Sequence, residues 1–131
     1  AFPKSLVIDI AGDGSIQMNI QELATAVQYN LPVKIVILNN RVLGMVRQWQ
    51  ELFYEKRYTW THMNHAPDFV KLAEAYGAAG YRITDEKDVD DVLHKAFNNN
   101  KTTIVDVHVN PEECVYPMVP AGAPLKDMLL V

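Results

Sequence analysis

The chain has 131 residues, of which 49% are hydrophobic and 21% charged, with a formal net charge of −4. That is the balance of one ordinary globular domain, with no basic field to attract nucleic acid or an anionic membrane. Cys114 is the only cysteine, which excludes an intramolecular disulfide and a cysteine-rich metal site.

The first residues, Ala1-Phe2-Pro3-Lys4, lack an initiator Met and the layout of a signal peptide, so the chain reads as a piece of a longer polypeptide. No apolar run approaches the roughly 18 residues of a membrane span. Ser5 to Ile10 (SLVIDI) predicts a buried strand of the parallel-sheet kind, closed by the turn signal Ala11-Gly12-Asp13-Gly14. Ile16, Ile20, Leu23, Ala24 and Val27 then recur at helical spacing, and Pro32 ends that helix. Val33 to Leu38 (VKIVIL) predicts a second buried strand, closed by Asn39-Asn40. Met45 to Tyr54 predicts a helix. Pro67 opens another that runs to Tyr76, with Asp68 in its first turn and Gly77 as its stop. Gly80 to Thr84 predicts a third strand, Asp88 to Asn98 an amphipathic helix, and Thr102 to Val109 (TTIVDVHV) a fourth strand. The alternation predicts an α/β fold, a parallel sheet flanked by helices and built from a right-handed βαβ unit. Residues 1–112 are expected to form the domain, and the proline-rich residues 113–131 its covering tail.

Ligands of parallel α/β sheets sit beyond the C-terminal strand ends. Asp13 follows the first strand and Asn40 the second, 27 positions later. Adjacent strands lie about 5 Å apart, close enough for a carboxylate and an amide oxygen to share one ion. Mg²⁺ suits such a pair, because it takes hard oxygen ligands and keeps places for phosphate oxygens. Gly12 and Gly14 permit close backbone approach and positive φ. The N–H groups of Gly14, Ser15 and Ile16 at a helix N-terminus would cradle phosphate, and the Ser15 hydroxyl could cap the helix or donate to a phosphate oxygen. Each half alone is an ordinary turn. On paired strands, the two together point to a metal and a diphosphate.

Gly12-Asp13-Gly14 followed by Asn39-Asn40 resembles the motif of thiamine diphosphate (ThDP) enzymes. Longer stretches are similar to the acetolactate (acetohydroxyacid) synthase large subunits: Gly12 to Asn40, Gly44 to Tyr58 (GMVRQWQELFYEKRY), Pro67 to Gly77 (PDFVKLAEAYG) and Val115 to Leu130. This resemblance implies the ThDP-enzyme diphosphate-binding fold and a transferase of branched-chain amino acid biosynthesis. Pyruvate would be decarboxylated and its two-carbon remainder joined to pyruvate or 2-ketobutyrate. Residue by residue, it implies that Asp13, Asn40 and the Val42 carbonyl bind Mg²⁺. Gly12, Gly14 and Ser15 would hold the diphosphate, and Gly44, Met45 and Val46 would line the cofactor pocket. Met45 and Trp49 would face the substrate channel, Trp49 favouring 2-ketobutyrate. With the Ala121-Gly122 region they also match positions where family herbicides dock. Arg41-Val42-Leu43 departs from a more polar stretch of some members, which leaves only backbone ligation at Val42 intact.

The resemblance further implies that the catalytic glutamate lies in an N-terminal domain and FAD in a middle domain, so no catalytic residue falls in this chain. The full-length subunit would pair as a homodimer or tetramer, with the partner holding the other half of ThDP and with room for a regulatory subunit. The chain alone is then expected to be inactive or to bind the cofactor weakly. Its compartment would be the cytoplasm in a bacterium, the plastid or mitochondrion in a eukaryote. Other readings remain open. Trp49 and Phe53, four apart, equally fit the core face of a helix. Tyr54, Tyr58 and Trp60 read as packing residues, His62 and His65 as solvated, His94 and His108 as structural, and Cys114 as inert. The rival functions are another ThDP carboligase or decarboxylase, such as glyoxylate carboligase, and a non-catalytic α/β assembly module.

Overall fold

A computed structural model describes residues 5–130. Its elements are β1 (Ile8–Gly12), α1 (Asp13–Ile16), α2 (Glu22–Gln28), β2 (Lys34–Asn39), α3 (Gly44–Phe53), α4 (Phe69–Tyr76), β3 (Ala79–Ile83), α5 (Val89–Phe97) and β4 (Thr103–His108). The four strands form one parallel sheet in the order β1-β2-β4-β3.

The chain divides into two compact units. The sheet unit runs to Arg41 and resumes over Met63–Val109. The second comprises Val42–His62 together with the chain from Asn110 onward, so the proline-rich tail shares a unit with α3.

In the sheet unit, strand alternation sends side chains to two faces. Ile35 and Ile37 of β2 and Ile104 of β4 join Ile16, Leu23, Phe69, Ala73 and Ala78 in one core, under α2 and α4. Val36 and Val105 point the other way and pack with Ile83 and Ala96, under α5. Gly80 is required where β3 meets α4, since a Cβ there would lie 2.9 Å from the Val70 carbonyl oxygen. Gly77 ends α4 in the left-handed region at φ 83°, as a C-terminal stop should.

Two expectations need correction. β1 is not a buried strand. It pairs only with β2 at the sheet edge, and Ile8 and Ile10 are exposed. Their register partners are Lys34 and Val36, so they lie on the α5 side of the sheet. Nor does one helix run from Ile16 to Val27. Met18 and Asn19 donate to carbonyls three residues back, Ser15 and Ile16, and α2 begins only at Glu22. Tight turns wind at nearly the helical pitch. Ile16, Ile20, Leu23 and Val27 therefore still face one core.

Candidate functional site

The turn after β1 and the turn after β2 meet through one side chain. β1 and β2 are neighbours, with Gly12 in register with Leu38. Asp13, buried, starts α1 directly beyond that pair. Its Oδ1 accepts from the Gly14 N–H at 3.1 Å and its Oδ2 from the Arg41 N–H at 2.9 Å. The carboxylate thus lies against the Asn40-Arg41 peptide, the juxtaposition expected of neighbouring strands. Arg41 takes φ 58°, a left-handed conformation that a side-chain-bearing residue adopts at some cost. Burial pushes the Asp13 carboxyl above its ordinary range, against the lowering pull of the Gly14 and Arg41 N–H groups, and the charge of Asp106 adds to the rise.

The glycines act differently from the expectation. Neither Gly12 nor Gly14 is among the positive-φ residues, and Gly12 sits at φ −88°. The Ser15 hydroxyl closes the turn on itself, accepting from the Gly12 N–H at 2.9 Å and donating to the Gly12 carbonyl at 3.0 Å. The tightness comes from this local ring and from the Asp13 carboxylate, so the left-handed geometry falls at Arg41 instead.

In the second unit, α3 is inverted relative to an ordinary surface helix. Its polar residues Arg47 and Gln48 are buried, while Met45, Val46, Trp49 and Phe53 are exposed. Gln48 clamps the tail: its Nε2 donates to the Val115 carbonyl at 2.9 Å and its Oε1 accepts from the Val115 N–H at 2.8 Å. Arg47 pairs with Glu51 at 2.9 Å and lies 5.2 Å from the centre of the Tyr58 ring. The outward apolar side lines a cavity of about 750 Å³ with Met45, Val46, Trp49, Gln50, Tyr54, Arg57 and Thr59. Gly44 opens α3, and Val42, buried, bridges His62. Trp49 is therefore no core residue. It stacks edge to face with Phe53, centroids 5.6 Å apart, at the cavity wall. Tyr54 and Trp60 do not pack either, Trp60 being 95% exposed.

The sequence itself decides the family. Residues 1–107 match the family model for the thiamine pyrophosphate enzyme, C-terminal TPP binding domain. The chain belongs to this family. It is 50% identical to the acetolactate synthase large subunit of Haemophilus influenzae over 99% of this chain and 23% of that protein. It is 49% identical to the acetolactate synthase isozyme 3 large subunit of Escherichia coli, with the same coverage. Among solved structures, the Rhodococcus jostii thiamine diphosphate-dependent 4-hydroxybenzoylformate decarboxylase superposes with a TM-score of 0.77 at 32% identity, over 85% of this chain and 21% of that one. The chain spans about a quarter of the length of the curated relatives it matches.

The donor set fits what a TPP-binding domain needs at its diphosphate end. No group of three or more His, Cys, Asp or Glu among the described residues could hold a metal. A cation at Asp13 would therefore draw on amide, carbonyl and phosphate oxygens, the hard set that Mg²⁺ prefers. Asp13 is a buried carboxylate without a cationic partner among its hydrogen bonds, and Asn39 Oδ1 is a buried acceptor with no hydrogen-bond partner among the described residues. A buried carboxylate so placed favours a cation nearby.

Sequence reasoning missed one cluster. Asp106, buried on β4, accepts from Asn39 Nδ2 at 2.8 Å and from Arg82 Nε at 3.0 Å, and His108 Nε2 lies 3.4 Å away. These residues line a polar cleft with Arg41 and Asp68. The available signal was a charge inside an apolar strand run, Asp106 in TTIVDVHV, which a buried strand tolerates only with partners. His62 and His65 are exposed, as read, and His94, read as structural, is exposed as well.

Proposed function

We propose that this chain is the diphosphate- and Mg²⁺-holding part of an acetolactate synthase large subunit, which decarboxylates pyruvate and joins the remainder to a second 2-keto acid. The observation that carries the reading is the Asp13 carboxylate held on the Arg41 N–H at 2.9 Å, beyond two adjacent parallel strands. Asp13, Asn40 and the Val42 carbonyl would ligate the ion. Gly12, Gly14 and Ser15 would hold the diphosphate, the Gly14 N–H passing from Asp13 to a phosphate oxygen. Gly44, Met45 and Val46 would contact the cofactor, which when bound supplies the electron sink for decarboxylation. The apolar cavity with Trp49 on its wall suits the short alkyl chain of a 2-keto acid, and Arg57 adds a cation at its lining.

In this reading the full-length subunit also holds FAD, works as a homodimer or tetramer, accepts a regulatory subunit, and resides in the bacterial cytoplasm or a eukaryotic organelle. No helix among the described residues is long and apolar enough to cross a membrane. A second reading, a ThDP-dependent decarboxylase of aromatic 2-keto acids, draws on the likeness to the Rhodococcus decarboxylase.

Titrating the full-length protein with ThDP at saturating Mg²⁺, followed by product analysis from pyruvate with 2-ketobutyrate, tests both. Saturable Mg²⁺-dependent binding that Asp13→Ala weakens at least tenfold, with acetohydroxybutyrate as product, is expected. Binding without carboligation would favour the decarboxylase, and Mg²⁺-independent behaviour identical in Asp13→Ala would overturn the enzyme reading.

A further inference from the structure

The carboxylate of Asp106 is almost wholly buried, at 1% exposure, in the sheet beyond the core. A buried carboxylate is costly unless each oxygen is satisfied. Here both are, and one partner bears on the site. Oδ1 takes the Asn39 amide N–H at 2.8 Å, while Oδ2 takes Arg82 at 3.0 Å. An ionised carboxylate only accepts, so it fixes which end of the Asn39 amide faces it. Asn39 Oδ1 is thereby turned away from Asp106 and stays buried.

Asn39 is the last residue of β2, directly before Asn40. Its carbonyl accepts from the Val109 N–H at 3.1 Å. Two residues on, the Arg41 N–H is held by Asp13. The turn that carries Asn40 is thus pinned on both sides, by Asp106 and Val109 before it and by Asp13 after it. The left-handed Arg41 would relax without such a hold.

We propose that Asp106 is a positioning residue for the metal end of the site: through Asn39 it fixes the direction in which Asn40 presents its amide oxygen. This rests on the reading of Asp13 and Asn40 as Mg²⁺ ligands. Asp106 touches neither metal nor substrate. It acts as the outer partner of a ligand-bearing turn, and loss of such partners typically weakens metal binding about 10–100-fold.

The test is Mg²⁺ titration of the full-length protein at saturating ThDP, read by calorimetry and paired with thermal melts. Asp106→Leu is expected to raise the Mg²⁺ Kd at least tenfold. Asp106→Asn keeps an acceptor for Asn39 but loses Arg82, so it should restore Mg²⁺ affinity to within about threefold while remaining less thermostable. Arg82→Met removes the ion pairs to Asp106 and Asp68 but leaves the Asn39 hydrogen bond, and should lower Tm with the Mg²⁺ Kd unchanged. Should Asp106→Leu not fold, Asn39→Ala breaks the same hydrogen bond from the other side and is expected to raise the Kd likewise. Equal Mg²⁺ affinity in wild type, Asp106→Leu and Asn39→Ala would overturn the proposal alone. A wild type whose ThDP binding ignores Mg²⁺ would overturn the metal reading and this proposal with it.

Discussion

At the scale of single residues, charge inside the sheet is what the fold handles with most care. Lys34 stands at the start of β2 with 1% exposure and no acidic partner among the described residues. Its ammonium donates to the carbonyls of Asn99 and Lys101, both at 2.7 Å, to Asn99 Oδ1 at 3.1 Å and to Thr103 Oγ1 at 3.3 Å. It therefore closes the turn between α5 and β4, where carbonyls past a helix C-terminus welcome a cation. Burial lowers its pKa. Lys34→Met keeps the apolar stem but takes the ammonium from the part-buried carbonyls of Asn99 and Lys101, the latter keeping Thr103 Oγ1 at 2.9 Å, and we expect a loss of about 1–2 kcal/mol, measured by urea unfolding. An unchanged midpoint would show the turn to be held by Thr103 and Asn99 alone. Lys34 and Asp106 also mark where reading the sequence stopped short. Asp13 and Asn40 were legible because both follow strands and chain spacing reports strand ends. The partners of Lys34 lie 65, 67 and 69 positions away, and no local pattern announces them.

At the scale of elements, helix ends were easier to read than helix continuity. Asp68 was expected in the first turn of α4 and is its N-cap, accepting from the N–H groups of Val70 and Lys71. The same carboxylate takes Arg82 Nη2 at 2.6 Å. The Arg82 hydrogen bond holds the Asp68 carboxyl below its ordinary range, against the rise from burial and with the Lys71 and Val70 N–H groups and the Arg82 charge adding to the lowering. A depressed carboxylate contributes stability above its unfolded pKa and loses it as pH falls through the lower, folded one. The Asp68 contribution should therefore be complete at pH 7 and fade below about pH 4. Asn is also a good cap, so Asp68→Asn isolates the ion pair. With side chains about a third exposed, that pair is worth less than about 1 kcal/mol. Asp68→Ala should lose about 1 kcal/mol more with the cap. Unfolding at pH 7 and pH 3 checks this, since a difference between wild type and Asp68→Asn that persisted at pH 3 would contradict the assignment. The break between α1 and α2 was not legible for a physical reason. Successive three-residue turns preserve the apolar stripe at Ile16, Ile20, Leu23 and Val27, so periodicity alone cannot distinguish them from one helix.

At the scale of the whole molecule, the sheet is dressed unevenly. α2 and α4 cover one face, but on the other α5 packs over Val36, Ile83 and Val105. Ile8, Ile10 and Leu38 share that second face through the β1–β2 register and are 42%, 63% and 45% exposed. β1 is also an edge strand, with one side of its backbone not paired in the sheet. A contiguous apolar strip beside an open strand edge is a surface that associates. The chain matches only 23% of the length of its Haemophilus influenzae relative, so the surroundings of this strip in a complete subunit need not be reproduced by the 131 residues. The apolar run SLVIDI was read correctly as strand and wrongly as buried, because hydrophobicity reports what a strand can bury and not whether this chain supplies the cover. The purified 131-residue chain is therefore expected to associate as its concentration rises, in light scattering coupled to size exclusion, and to brighten an apolar dye. Ile10→Lys places a charge in the middle of the strip without touching either core, and it should suppress both signals while leaving the far-ultraviolet circular dichroism intact. Association undiminished in Ile10→Lys would move the sticky surface elsewhere, with the exposed side of α3 around Met45, Trp49 and Phe53 the next to be tested.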